Sequence, residues 1–561
     1  MQDTDRIILA SDAAGDVVVC AEGLSFWGGV DPGTGRVIDA HHPAHGQDLA
    51  GRVVLMPTSR GSCSGSGVLL QLALSGRAPA ALVFHEAEEV LTLGALIAAR
   101  MFDRPLAVLR LSAASYAALA REPAATIAGG RLRAGALDLP LAPVSPGDLA
   151  LDEGDRARLA GASGRAVQLA QEVLGTMAAA QGAARLIDVT RGHIDGCILA
   201  HDANLIFAEA MAEMGARVAI PTTINAISVD RQGWRAQGVP PVFGDKASRL
   251  ADAYVRMGVA PTFTCAPYQG VSVPARGEVI GWSESNAVIY ANSVLGARTA
   301  KHPDYLDLFI AMTGRAPETG VYLDANRVAE VVIEVEAPLG ADDALWPLLG
   351  WLAGRLAPDR VPLLRGLQGL KPGPDDLRAM CAAFGTTSAS ALLHVAGVTA
   401  EGDVPPRADA PVLRIGRAEI AAAWAEFNQG PATVDLVAIG SPHAALSELR
   451  AFDAALGGRA SAPGVAAILT VGRDVLEGAR AEGLLGRLEA AGVQVIPDLC
   501  WCSITEPVFP PGARTLMTNS GKYAHYAPGL SARAVRFGSI ATCAEAAVTG
   551  RADPAPPAWL A

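Results

Sequence analysis

From Arg185 onward, strand-length apolar runs alternate with helix-length segments carrying one apolar face, and this alternation restricts the chain to parallel sheets covered by helices. Residues 185–189 predict a strand. Residues 204–214 predict a helix with Phe207, Ala210, Met211 and Met214 on one face and Gly215 as its cap, and residues 217–220 predict a return to strand. The last third repeats the pattern, with strands at 434–439, 466–471, 493–496 and 515–517 and an intervening helix through Leu446, Leu449 and Phe452. Ligands of such sheets bind at the carboxyl ends of the strands. Four polar clusters fall there: Pro221-Thr-Thr-Ile-Asn225, Gly440-Ser-Pro-His443, Asp498-Leu-Cys-Trp-Cys502 and Thr518-Asn-Ser520. Each alone is ordinary turn chemistry. Their recurrence at one topological place marks a candidate site.

At 561 residues the chain exceeds the roughly 250–300 at which a single core stops growing, so several domains are expected. The first ~135 residues read as short strands with Gly-rich turns. Pro140, Pro143, Pro146 and the Ser145-Pro-Gly-Asp148 turn then mark a linker, dividing the chain into a small domain, 1–140, and a large part, 141–561. Half the residues are hydrophobic and 18% charged, the composition of a compact globular enzyme. A net charge of −12 with no basic block excludes nucleic acid as an expected partner. The start, Met1-Gln-Asp-Thr-Asp-Arg-Ile-Ile, has acids where a signal peptide is positive, and no apolar run approaches the roughly 18 residues of a membrane helix. The expectation is a cytoplasmic monomer. Eight cysteines in a chain this long read as reduced thiols rather than a disulfide framework.

The most informative local segment is Val53-Val-Leu-Met-Pro-Thr-Ser-Arg-Gly-Ser-Cys-Ser-Gly-Ser-Gly67, an apolar strand running into a Ser/Gly loop that opens a helix near Val68. Its glycines allow close backbone approach, and the free N–H groups of the helix start favour an anion. Ser62, Ser64 and Ser66 add hydroxyls that could act as a base beside Arg60, though a serine helix cap explains them equally well. Cys265 and Cys500 have no C-x-x-C spacing, so spacing alone leaves a metal site open. Cys502 points to the opposite face of an extended segment from Cys500. Burial is the simpler reading of Cys20, Cys197, Cys381 and Cys543. His41-His42-Pro-Ala-His45 reads as a polar turn, and Glu284-Ser285 as the cap of an apolar helix over 287–295.

Taken together, these motifs resemble the aconitase X family. The resemblance rests on Leu24-Ser-Phe-Trp-Gly-Gly-Val-Asp-Pro32, Arg60-Gly-Ser-Cys-Ser-Gly-Ser66, Ala78-Pro-Ala-Ala81, Gly192-His-Ile-Asp-Gly196, Pro221-Thr-Thr-Ile-Asn225 and Thr264-Cys-Ala-Pro-Tyr268. It continues through Trp282-Ser-Glu-Ser-Asn-Ala-Val288, Tyr290-Ala-Asn-Ser-Val-Leu-Gly-Ala-Arg298, Met517-Thr-Asn-Ser520 and His525-Tyr-Ala-Pro528. It implies an α/β fold: an aconitase-like multi-domain large part with parallel sheets, and a small swivelling β/α domain at the N-terminus. It also implies a dehydratase with an iron–sulfur cluster. Fusion of the small domain ahead of the large part, as here, implies dehydration of cis-3-hydroxy-L-proline to Δ1-pyrroline-2-carboxylate, with 5-phosphomevalonate as the alternative substrate and a non-catalytic iron–sulfur sensor as the alternative from another class. A metal-free serine or cysteine hydrolase is weakened by the absence of a recognisable triad context. By the same resemblance Ser62 is the proton acceptor and Arg60 its electrostatic partner. Cys265 and Cys500 are cluster ligands, and Gly196, Cys197, Ile198, Asn225, Ala226, Glu284 and Ser285 line the substrate pocket. Lys522 is read as a partner for the substrate carboxylate. A third family cysteine is replaced by Ser441, which favours a two-iron (2Fe-2S) cluster and leaves its completion open among Ser441, Cys502, Cys63 and a non-cysteine group.

Overall fold

In a computed structural model of the protein, which describes residues 4–270 and 273–560, the N-terminal domain is a nine-stranded mixed sheet. Residues Met1–Asp3 of the start considered above lie outside the described residues. The centre of this sheet is parallel: Ala13–Val19, Val53–Leu55, Ala81–Phe84 and Ala107–Arg110 lie side by side. Antiparallel strands Ala124–Ala128, Arg131–Ala134 and Leu137–Pro140 extend one edge. At the other edge, Ala142–Pro143 returns to pair with Arg6 and Ile7. The central strands are buried runs of Val, Leu, Ala and Phe, as a sheet covered on both faces requires.

Two helices, Gly65–Leu74 and Val90–Phe102, carry the domain onto the large part. Leu69, Leu72, Leu93 and Leu96 belong to the same buried cluster as Leu174, Phe207 and Tyr305. One continuous apolar core therefore runs from the small domain into the first layer of the large part. Polar ties cross the same boundary: Ala203 N–H donates to Gln71 Oε1 at 3.0 Å, and Ser66 Oγ donates to the Asp304 carbonyl at 3.3 Å.

The large part holds three parallel sheets. A three-stranded sheet has Gly192–Ile194 between Thr222–Ile224 and Gly281–Trp282. A four-stranded sheet orders His394–Val395, Pro362–Arg365, Val331–Val335 and Val412–Ile415. A five-stranded sheet orders Val493–Pro497, Ala466–Val471, Leu436–Ala444, Thr515–Thr518 and Ala534–Phe537. Its order reverses beside Leu436–Ala444, the topological switch point at which such sheets form ligand crevices.

Two sequence expectations shift. Residues 217–220 form no strand, because their backbone donors serve helix ends instead: Val218 N–H bonds the Met257 carbonyl at 2.9 Å, and Ala219 N–H bonds Ala311 at 2.8 Å. The strand begins beyond Pro221, so the Thr222-Thr-Ile224 motif is itself the strand and only Asn225 follows it. Likewise Gly440-Ser-Pro-His443 lies inside the long strand Leu436–Ala444, where the register against Ala466–Val471 shifts between Ile439 and Ala444. Gly440 permits this excursion: its φ is +105°, and a Cβ there would stand 2.2 Å from the Thr470 carbonyl oxygen.

Gly94 has a comparable role for the serine loop. A Cβ on it would lie 2.6 Å from the Ser66 carbonyl oxygen, in the first turn of Gly65–Leu74. Gly94→Ala is expected to push that helix away and cost about 1–3 kcal/mol of stability, read by urea unfolding.

Candidate active site

The carboxyl ends of two parallel sheets meet. Ile227 pairs with Leu499 in an isolated parallel bridge, and Ile227 N–H donates to the Asp498 carbonyl at 2.7 Å. Every strand of the three-stranded sheet ends in a polar residue at this junction: Asp195 after Gly192–Ile194, Asn225 after Thr222–Ile224, and Glu284 two residues after Gly281–Trp282. The five-stranded sheet contributes Ser441 and His443, then Asp498 and Cys500, then Ser520 and Lys522.

Three thiols converge. Cys265 and Cys500 pack with Ala226 in one buried cluster, with Cys502 against it. Cys500 is hydrogen-bonded to both Cys265 and Cys502, and the bond to Cys265 pushes its thiol up. The bond to Cys500, followed by burial, raises Cys502 likewise. His443 N–H donates to Cys265 Sγ at 3.2 Å, while its ring lies between Thr264 Oγ1 and the Leu499 carbonyl. Burial lowers the His443 imidazole to about 4, so it is neutral at pH 7. Ser441 is buried and its hydroxyl has no partner among the described residues, although its carbonyl accepts from Ser520 Oγ.

A polar chain leads from the thiols to the serine loop. Lys522 Nζ donates to Glu284 Oε1 at 2.9 Å, and both side chains are buried. Burial pushes the Glu284 carboxyl up, but the ammonium and the Asn286 donors outweigh it and hold the carboxyl at about 2. Burial opposes the Lys522 charge, yet Glu284 and then the three thiols drive it well above its ordinary value. Asn225 Nδ2 donates to Glu284 Oε2 at 3.1 Å and also to Asp195 Oδ1. Cys63 Sγ in turn donates to Asp195 Oδ2 at 3.4 Å. Tyr526 stands within electrostatic reach of Lys522, Cys502, Glu284 and Cys63, and so spans both ends of this chain.

Ser62 flanks Cys63. It is half-buried, and its Oγ accepts the Ser64 N–H at 3.3 Å at the start of Gly65–Leu74. Arg60 is exposed and pairs with Glu22 at 3.2 Å. Of the expected pocket residues, Gly196 accepts from Tyr254 OH at 3.0 Å, and Cys197 Sγ lies 3.5 and 3.4 Å from the carbonyls of Asn225 and Ala226. Ile198 and Ser285 are half-buried, and Glu284 caps the helix Ser285–Tyr290 that Ser285 opens, accepting Asn286 N–H at 3.3 Å. Lys522, expected to meet a substrate carboxylate, is held by Glu284. Among the described residues no hydrogen bond joins Ser62 to Cys265 or Cys500; the connection runs through Cys63, Asp195, Asn225, Glu284 and Lys522.

Sequence reasoning passed over Asp195, Asp304 and Lys301. Ligand atoms of Cys63, Asp195 and Asp304 all lie within 4.8 Å of one another, and all three residues are buried. Lys301 is half-buried, its ammonium lowered by burial and raised in turn by Cys63 and Glu284. Asp195 stood inside the quoted Gly192–Gly196 motif; its position at a strand's carboxyl end was the available signal.

Residues 3–133 match the aconitase X swivel domain, 148–325 the first domain, 329–425 the second and 434–549 the third. The chain belongs to the aconitase X family. It is 48% identical to a cis-3-hydroxy-L-proline dehydratase of Pseudomonas aeruginosa, over 99% of this chain and 98% of that one. It is 44% identical to the protein of that name from Hypocrea jecorina, over 98% and 95%. The crystal structure of Thermococcus kodakaraensis aconitase X in its holo-form superposes with a TM-score of 0.65 at 30% identity, covering 71% of this chain and 99% of that one. This aconitase X protein is thus an enzyme, a dehydratase of the hydro-lyase class. Among the described residues no helix is long and apolar enough to cross a membrane.

Lys522→Met would strand the Glu284 carboxylate in a buried site and is expected to destabilise by about 3–5 kcal/mol, with the double variant Glu284→Gln/Lys522→Met recovering part of the loss. Because folding depresses the Glu284 pKa from 4.5 to about 2, its stabilisation is complete above pH 4.5 and fades as pH falls toward 2. The stability advantage of wild type over Glu284→Gln should shrink across that window in thermal melts.

Proposed function

We propose that this enzyme removes water across the Cα–C3 bond of cis-3-hydroxy-L-proline, giving an enamine that tautomerises to Δ1-pyrroline-2-carboxylate. The observation that carries the reading is the run of hydrogen bonds from Cys63 of the serine loop through Asp195, Asn225 and Glu284 to Lys522, whose ammonium lies within electrostatic reach of the three clustered thiols. We read its serine-loop end as the proton-accepting end and its thiol end as the metal-binding end. The near-full-length relatives that bear the name of this activity support the choice of substrate.

Ser62 Oγ takes the Cα proton. Its loop opens the helix Gly65–Leu74, whose positive N-terminal end favours negative charge on that oxygen. Arg60, two residues earlier, adds a positive charge on the exposed side, where it can guide the substrate carboxylate. In this reading Gly196, Cys197, Ile198, Asn225, Ala226, Glu284 and Ser285 are the substrate contacts, and Asn225 is fixed by its two carboxylate partners. Lys522 holds Glu284 ionised beside the thiols.

An iron–sulfur cluster fits the residues present. Cys265, Cys500 and Cys502 supply thiolates, the orphaned Ser441 hydroxyl stands where the family's further cysteine would be, the His443 N–H already points at sulfur, and the Lys522 ammonium offsets thiolate charge. With Ser441 in that place, a two-iron cluster is our reading. When bound, the cluster would supply a Lewis-acidic iron for the 3-hydroxyl, a leaving group too poor to depart unaided near neutral pH.

Ser62→Ala is expected to lower kcat on cis-3-hydroxy-L-proline by about 10²–10⁴-fold with iron and acid-labile sulfide content unchanged. Retained turnover would remove the serine from the mechanism, and activity on 5-phosphomevalonate alone would overturn the substrate. Separately, Cys502→Ser should reduce the iron and sulfide retained by anaerobically purified protein, whereas Cys20→Ser, remote in the small-domain core, should not.

A further inference from the structure

Four carboxylates, Asp195, Glu284, Asp304 and Asp307, converge beside the serine loop. Electrostatic coupling links Asp304 and Glu284 to Asp195, and Asp307 Oδ2 accepts the Asp195 N–H at 2.7 Å. Among the described residues, the ammonium groups of Lys301 and Lys522 stand within electrostatic reach of these acids. Burial pushes Asp195, Asp304 and Asp307 toward the neutral form, the last to about 7, so a cationic group entering among them would favour their ionised state, whereas a phosphate ester would oppose it.

The hydrogen bonds single out one acid. Both oxygens of Asp195 are taken, by Asn225 and Cys63. Both oxygens of Glu284 are taken, by Lys522 and Asn286 on one side and Asn225 on the other. Asp307 accepts the backbone N–H groups of Asp195 and Leu308, each at 2.7 Å. Asp304 differs. Its side chain is 4% exposed, and its Oδ1 has no donor among the described residues. A buried acceptor without a donor costs free energy comparable to a lost hydrogen bond, so this oxygen awaits a donor from outside the chain. The Asp304 carboxylate is reached by Cys63 and Ser64, and one of its oxygens lies within 4.8 Å of Cys63 Sγ, one residue from Ser62.

A divalent metal would meet poor conditions there. Burial, followed by Asp304 and Asp195, raises the Cys63 thiol well above its ordinary value, and its proton is already shared with Asp195. The adjacent Lys301 ammonium opposes a doubly charged ion more strongly than a singly charged one. A secondary ammonium, with one charge and two N–H donors, suits a single open carboxylate oxygen.

We infer that Asp304 is the specificity residue that receives the ring ammonium of the substrate, so that this site selects a cyclic α-amino acid over an anionic hydroxy acid or phosphate ester. The inference rests on the amino-acid reading given under Proposed function and extends it to a residue and a recognised group. Burial raises the Asp304 carboxyl, a cost that a bound cation relieves.

The test uses anaerobically purified holoenzyme and two ligands that cannot be dehydrated: L-proline, and (S)-tetrahydrofuran-2-carboxylate, in which a ring oxygen replaces the ammonium. Calorimetric titration of wild type should show L-proline binding about tenfold or more tighter than the oxygen analogue. In Asp304→Asn that preference should fall to near parity, with the oxygen analogue retaining its wild-type affinity to within about threefold and Asp304→Glu recovering part of the preference. A preference unchanged in Asp304→Asn would overturn the assignment. So would equal loss of both ligands, which would make Asp304 a support for the fold. If wild type binds neither ligand and turns over only 5-phosphomevalonate, the substrate reading itself fails and this inference falls with it.

Discussion

The buried ion pair between Glu284 and Lys522 is the contact on which the rest of the site depends. It joins the carboxyl end of the three-stranded sheet to the helix that follows a strand of the five-stranded sheet, and each partner also touches a different part of the chemistry. Glu284 anchors Asn225 and, through it, Asp195 and the serine loop. Lys522 faces three thiols. Withdrawing two charges from water is expensive, and an ion pair seldom repays that cost in stability alone. Its retention here is better explained by placement, since an unpaired member would either neutralise or draw the sheets apart.

The same junction explains why so many polar side chains tolerate burial. Strands of a parallel sheet end with their residues pointing into a common crevice, and two such crevices face each other across the Ile227–Leu499 bridge. Side chains find partners along one sheet's edge, as Asn225 with Asp195 and Arg473 with Asp498 do, and across the junction, as Lys522 does with Glu284 and Ser503 with the Ile227 carbonyl. Among the described buried polar atoms without a partner, which also include His193 Nε2, Trp282 Nε1 and Ser283 Oγ, two lie toward the ends of the chain: the Ser441 hydroxyl near the thiols and Asp304 Oδ1 near the serine loop. At those two ends of the chain a bound group has something to gain.

Much of the fold was legible because hydrophobic periodicity is local. Four of the five strands of the last sheet and the helix after Gly192–Ile194 follow from patterns within ten or so residues. Residues 217–220 misled for the opposite reason: their apolar pattern fits a strand, but their hydrogen bonds go to the ends of helices Pro241–Arg256 and Leu306–Thr313, distant in sequence. Gly440-Ser-Pro-His443 misled because a bulged excursion within a strand has the same composition as a loop after it.

By itself, the sequence determined the α/β class, the serine loop at a helix start, the family motifs and the residue types able to carry acid–base and metal chemistry, all of them properties of short segments. Only the tertiary structure decided which of those residues share a site. Cys502 joined Cys265 and Cys500, Lys522 was drawn to Glu284, Arg60 turned to Glu22, and Asp304, which no local pattern distinguishes from any other aspartate, was left with an open oxygen. The physical reason is that burial and partner choice depend on segments hundreds of residues apart, and the protonation and reactivity of an ionisable group follow from its partners rather than from its neighbours in the chain.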